Sequence, residues 1–174
     1  MATETLVPDG VVFTLTQLSG SVGDVDNTIA SADGVFLTNL ETNGNTPAVQ
    51  ASFPTASGDL TSGVNQAFRA RVGKSATGGN NPQFTIAVID NGNTLASGTF
   101  TATDTVTNFS LPWDSGNFTL SDGAGANLEI SVAQTTGGTG NAARRRWIQI
   151  DELEWNVEYT VVVGGATVTQ AILI

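Results

Sequence analysis

The sequence predicts an all-β fold, an antiparallel β-sandwich built from short strands. Three observations carry that prediction. Thr, Val, Gly, Asn and Ser are abundant among the 174 residues, while Lys, Arg and Met are scarce. β-Branched side chains suit a pleated, half-buried surface, and Gly and Asn suit turns of positive φ. Apolar residues recur at alternate positions in short runs, with turn clusters between them at the spacing of sandwiches and jelly rolls. No credible amphipathic helix interrupts the pattern.

The first predicted strand is Val11 to Leu18 (VVFTLTQL). An Asp-rich loop, Gly23 to Gly34, leads to a second at Val35 to Leu40, and Asn43-Gly44-Asn45 turns the chain. Val49, Ala51 and Phe53 then alternate with Gln50 and Ser52 until Pro54 closes the run. The clearest alternation spans 66–73, with Phe68, Ala70 and Val72 on one side and Arg69 and Arg71 on the other. That is a strand with one face in a core. After the loop Gly78 to Pro82, Phe84, Ile86 and Val88 begin a strand that turns at Asp90-Asn91-Gly92-Asn93. Asn-Gly between alternating residues predicts a hairpin, returning through Leu95 to Thr103.

Phe109, Leu111 and Trp113 share a face, Phe118 to Leu120 make a short apolar run, and Leu128, Ile130 and Val132 follow. The closing strand, Trp147 to Tyr159, changes phase. Ile148 and Ile150 share one parity, whereas Leu153, Trp155, Val157 and Tyr159 share the other. A β-bulge near Asp151-Glu152 reconciles them. No repeat suggests a propeller or solenoid.

The length fits a single domain, large enough to bury about 70 % of its unfolded surface without a metal or disulfide staple. The expected organisation is an N-terminal arm over 1–8, a β-sandwich over 9–159 and a C-terminal apolar strand or arm over 160–174. That last segment, Thr160 to Ile174 (TVVVGGATVTQAILI), has no charged side chain. Two readings stay open for it. It supplies one more pair of core strands turning at Gly164-Gly165, or it adds to a neighbouring subunit's sheet as an arm, because an unpaired apolar strand is an aggregation hazard. Val168, Ile172, Leu173 and Ile174 are the residues an arm would offer to a neighbour.

The composition argues against catalysis. There is no Cys and no His, which removes thiol chemistry, the usual neutral-pH base and the commonest transition-metal ligand. No serine triad or G-x-S-x-G elbow is present. Gly73-Lys74-Ser75 resembles the end of a phosphate-binding loop, but Phe68 stands where the motif needs Gly, and no helix follows. Asp151, Glu152, Glu154 and Glu158 invite a glycosidase reading. Glu152 and Glu154 would lie about 7 Å apart along one strand, a solvent-side polar face and not a pair across a cleft. The expectation is no enzyme and no cofactor.

Net charge is −10, and only 13 % of residues are charged. Such a field repels phosphate backbones, so nucleic acid is not an expected partner. No signal peptide and no run of about 18 apolar residues is present, so no membrane partner is expected either. Asp24, Asp26, Asn27 and Asp33 offer oxygen ligands for Ca²⁺ from one loop, although their spacing is not that of an EF-hand. Turn geometry explains the same residues without a metal. Arg144-Arg145-Arg146 is read as a docking point for an acidic neighbour or another subunit, with solvated arginines the plainer alternative. The sequons Asn108-Phe109-Ser110 and Asn117-Phe118-Thr119 are read as chance.

Several of these segments occur together: Asp33-Gly34-Val35-Phe36-Leu37-Thr38, Ser52-Phe53-Pro54-Thr55, Phe68-Arg69-Ala70-Arg71-Val72, Trp113 and Leu153 to Tyr159 (LEWNVEY). From about Pro8 to Tyr159 the chain thereby resembles small structural proteins of tailed-phage virions. The resemblance implies a jelly-roll-like capsid decoration (cement) protein. It would be a dimer or trimer bound to the major capsid protein or other virion proteins, assembled in the host cytoplasm. The alternative it implies is a tail or fibre component binding a receptor or glycan, with Trp113, Trp147 or Tyr159 as an aromatic platform unless they are buried. The tail after Tyr159 departs from the family pattern.

Overall fold

The structure, a computed structural model, describes residues 2–9, 18–19, 25–27, 29–39, 44, 46–60, 66–114 and 119–160. Among them are eleven strands: β1 (Ala2–Leu6), β2 (Leu18–Ser19), β3 (Thr38–Asn39), β4 (Ala48–Ser52), β5 (Asp59–Leu60), β6 (Ala67–Lys74), β7 (Gln83–Asp90), β8 (Asn93–Thr101), β9 (Thr107–Pro112), β10 (Leu128–Gln134) and β11 (Ile148–Thr160). A 3₁₀ turn covers Ile29–Ser31. No described helix is long and apolar enough to cross a membrane.

Two antiparallel sheets pack face to face. One has the order β1-β11-β6-β9, with β5 added to the end of β11; the other has the order β4-β10-β7-β8. Of the connections between successive long strands, only β7 to β8 stays within a sheet. It turns on Asn91 (φ 47°) and Gly92 (φ 82°), both positive, the type I′ geometry that the Asn-Gly pair predicts. The all-β sandwich is therefore as expected.

The alternation read from the sequence is the alternation that fills the core. Phe68, Ala70, Val72, Leu153, Trp155 and Val157 face Val49, Ala51, Phe84, Ile86, Val88, Ile130 and Val132, all of them buried. An aromatic stack holds one part of the interior: Phe68 lies 5.4 Å from Trp155 and 6.1 Å from Trp113, with Phe53 5.3 Å away. Phe84, Phe100 and Phe109 form a second group with centroids 5.0–5.8 Å apart, joining the sheets where β8 passes to β9.

Three expectations meet a different outcome. The segment 1–8 is not a free arm, because Ala2–Leu6 forms β1 and pairs with Trp155 to Tyr159 in the domain's own sheet. The run 118–120 makes no strand over its described part, although Leu120 still packs on the core. Within the described part of Val35 to Leu40, 35–39, Leu37 makes a single bridge to Ile150 and Thr38–Asn39 is strand. Most of the predicted strand Val11 to Leu18, and all of 161–174, lie outside the described residues.

Candidate functional site

Strand β11 is the spine of its sheet, and its bulge builds the site. Ile150 pairs with Val72 and Glu152 with Arg71, which leaves Asp151 as the extra residue. Regular alternation would send Asp151 and Glu152 to opposite faces. A bulge re-aims side chains, and here both carboxylates meet on the outer face of the sheet, the Arg71 side.

Val25 and Leu37 lie alongside β11 at the bulge, bonded to its backbone. Leu37 N–H donates to Ile150 O (2.8 Å), Ile150 N–H to Leu37 O (3.2 Å), and Leu153 N–H to Val25 O (3.2 Å). Asn27 N–H donates to Glu152 Oε2 at 3.1 Å. Asp33 is fixed by its own loop: Oδ1 accepts Val35 N–H at 2.9 Å, and Oδ2 accepts from Asn27 Nδ2 at 3.3 Å. Carboxylate oxygens of Asp33, Asp151 and Glu152 all come within 4.8 Å of one another. Among the described residues this is the one place where three acidic groups converge so closely.

Asp151 and Glu152 are both fully buried. Asp151 Oδ2 is ion-paired with Arg71 Nε at 2.7 Å. Asp151 Oδ1 and Glu152 Oε1 make no hydrogen bond, although the Gly34 amide lies near enough to Asp151, and the Asp33 amide to Glu152, to favour their charged forms. Desolvation pushes the Glu152 carboxyl up to about 7, with the Asp151 charge acting in the same direction, while the Asn27 and Asp33 amides oppose it. Desolvation also raises Asp151, against the pull of Arg71.

A pH dependence follows. A carboxyl whose folded pKa exceeds its unfolded value of 4.5 binds more protons in the native state across the window between them. Its contribution is fully present below pH 4.5 and is lost as pH rises through about 7. In buffer free of divalent ions, stability is expected to fall by roughly 3 kcal/mol across that window. Urea unfolding as a function of pH checks this, and Glu152→Gln should flatten the profile. The lowered pKa of Asp104, set first by its bond from Lys74, has the opposite sign and acts below 3.8, outside the window.

Of the loop set Asp24, Asp26 and Asp33, the described cluster contains Asp33. Asp33 joins Asp151 and Glu152 from the distant strand, half-buried Asp26 is not part of the cluster, and Asp24 lies outside the described residues. The sequence signal for the strand half was the phase change between Ile150 and Leu153.

The other singled-out residues are placed as follows. Arg146 is turned inward: its guanidinium donates to the backbone oxygens of Ala76 (3.0 Å), Thr77 (3.1 Å) and Arg145 (2.6 Å). It clamps the 75–79 loop, whereas Arg144 is exposed and Arg145 half-buried. Lys74 is buried at the end of β6, ion-paired with Asp104 at 2.7 Å and donating to Asn81 Oδ1 at 2.9 Å. Gly73 leaves room for Val106, whose Cγ2 would lie 2.9 Å from an added Cβ. Packing thus accounts for the Gly-Lys-Ser run. Glu154 is paired with Arg69 at 3.1 Å. Glu152 and Glu154 do share the outward parity, but both are buried and not solvated, because the loop and the arginines cover them. Trp113 and Trp147 are buried and Tyr159 is half-buried, so neither tryptophan forms a surface platform. Val168, Ile172, Leu173 and Ile174 lie outside the described residues.

Compared with known proteins, the chain matches no protein family and no curated protein.

Proposed function

We propose that the chain is a non-enzymatic structural protein of a tailed-phage virion, a decoration (cement) protein that stabilises a shell through added contacts. The strand order supports a jelly roll. Counting only the long strands in chain sequence, one sheet reads first, eighth, third, sixth and the other second, seventh, fourth, fifth. This interleaving is what two successive Greek keys produce, an architecture used by capsid domains among others. Fold order alone assigns no role, but it agrees with the sequence resemblance.

The observation that carries the assembly reading is the outer face of the β4-β10-β7-β8 sheet. Registered rows such as Gln50, Ser131, Ala87 and Ser97 run straight across it. The one charged side chain pointing out from the described part of this face is Glu129, which accepts a hydrogen bond from Gln50. Small uncharged side chains on a sheet face lose little hydration when a protein covers them, whereas unpaired charges are expensive to bury.

Purified protein is expected to bind saturably to capsids assembled without it and to raise their melting temperature. Ser131→Arg, at the centre of the face, should weaken that binding at least about tenfold, the effect of one unpaired charge in an interface core. The free protein should melt unchanged. No binding to such capsids, and no gain in their stability, would falsify the proposal.

A second reading, glycan binding, is favoured by one feature. A groove of about 590 Å³ on the outer face of the other sheet is lined by Thr3, Thr5, Arg69, Ser110 and Asn156 among others. Its hydroxyl, amide and guanidinium groups suit a hydroxyl-rich ligand, although no aromatic ring lines it. A glycan array distinguishes this reading from the first.

A further inference from the structure

We infer that Asp33, Asp151 and Glu152 form a Ca²⁺ site that fastens the 25–37 segment to the bulge of β11. The inference is independent of the virion reading. Acidic clusters are common on protein surfaces without any ion, and three neighbouring carboxylates would not suffice. What distinguishes this one is Glu152, a fully buried member of the cluster whose Oε1 makes no hydrogen bond. Asp151 Oδ1 is likewise buried and makes no hydrogen bond. Buried carboxylate oxygens need a proton, a hydrogen bond or a cation, since an uncompensated buried charge is strongly unfavourable.

The chemistry selects the ion. The chain contains neither His nor Cys, so every side-chain ligand is a hard oxygen, which suits Ca²⁺ or Mg²⁺ and not a transition metal. Two oxygens on one Ca²⁺ can be at most about 4.6–5.2 Å apart, twice the Ca–O distance. The three carboxylates fall inside that limit, all within 4.8 Å of one another. Mg²⁺ demands a tighter and more regular octahedron, which a loop residue and a bulge are poorly suited to supply. Charge also balances. Three ionised carboxylates and one guanidinium, Arg71 on Asp151, sum to −3 + 1 = −2, the complement of a divalent cation.

The consequence is mechanical. Asp33 belongs to the loop between Val25 and Leu37, which bond to the β11 backbone, while Asp151 and Glu152 belong to that strand. One ion joins segments more than a hundred residues apart in the chain, adding to the Asn27–Glu152 hydrogen bond that already spans them. Oxygen ligands drawn from an exposed loop are typical of weak sites that fill at extracellular calcium levels of about 0.1–1 mM.

The test uses the full chain, stripped with a chelator and titrated with CaCl₂ by calorimetry and by thermal unfolding. One site per chain is expected, with the melting temperature rising by about 5–10 °C at a hundredfold excess over Kd. Asp33→Asn keeps the Val35 N–H bond and Glu152→Gln removes a buried like charge, so both variants should fold. Each is expected to bind Ca²⁺ at least about tenfold more weakly, in line with the loss of one charged ligand. Absence of heat and of any melting shift up to about 10 mM Ca²⁺ overturns the site. So does unchanged binding in both variants, which would put the ion elsewhere.

Discussion

Arg71→Ala is expected to destabilise the domain by about 3–5 kcal/mol, far more than the loss of a surface ion pair. Arg71 holds Asp151 through its Nε at 2.7 Å, and Asp151 is fully buried. Truncating the arginine leaves a desolvated carboxylate beside Glu152 and Asp33 with its countercharge gone. The carboxylate can escape by taking a proton, so the loss should be greatest above neutral pH and should shrink as pH falls towards 5. A double variant, Arg71→Ala with Asp151→Asn, should recover a large part of the loss, because the amide needs no countercharge. Denaturant unfolding of the variants at two pH values, without divalent ions, reads all of this. Equal destabilisation at both pH values, with no recovery in the double variant, would mean that Arg71 acts by packing alone.

Trp155→Ala carries the other large expectation, a loss of about 3–5 kcal/mol, while Trp155→Phe should lose only about 1–2 kcal/mol. Trp155 has no exposed surface and sits against Phe68 at 5.4 Å and Phe53 at 6.2 Å, in the stack between the sheets. The alanine leaves a cavity that a β-sandwich, held by ladders on both sides, can close only in part. Phenylalanine keeps the ring and discards an indole N–H that has no acceptor, which partly offsets the smaller area. For a domain whose whole stability is about 5–15 kcal/mol, the alanine variant should melt roughly 10 °C or more below wild type. Thermal unfolding of the two variants side by side checks it.

Both effects trace to one feature that was legible in the sequence. The parity switch between Ile150 and Leu153 is a local pattern, and it located the bulge that places Asp151 and Glu152 together. The alternations at Phe68 to Val72 and Phe84 to Val88, and the Asn91-Gly92 hairpin, were legible for the same reason: each is dictated by neighbours in the chain. What covers the bulge was not legible. Asn27 and Glu152 are 125 residues apart, and no periodicity links them. An Asp-rich loop reads as turn chemistry whether or not carboxylates wait across the fold.

The N-terminal strand was missed for a different reason. Ala2 to Leu6 has Glu4 at the parity that faces the core, opposite Val157, so it does not look like a core strand. At this sheet edge the carboxylate instead reaches Ser57, accepting from its N–H and its hydroxyl at 2.7 Å each. Likewise Arg146 read as an exposed charge, because three successive arginines carry no sign of the backbone carbonyls around one of them. Its contacts come from the Gly78-Gly79 loop region, where Gly79 has φ +72° and an added Cβ would lie 2.8 Å from the guanidinium carbon.

We propose that this sandwich acts through a nearly uncharged sheet face laid on a virion shell. The measurement that tests it most directly is an electron cryo-microscopy reconstruction of capsids decorated with the purified protein. Ordered density for the sandwich is expected on the outside of the shell, with β4, β10, β7 and β8 against the capsid protein and the β1-β11-β6-β9 sheet turned away. Bare capsids at saturating protein, or density in which the β4-β10-β7-β8 face is open to solvent, would contradict it.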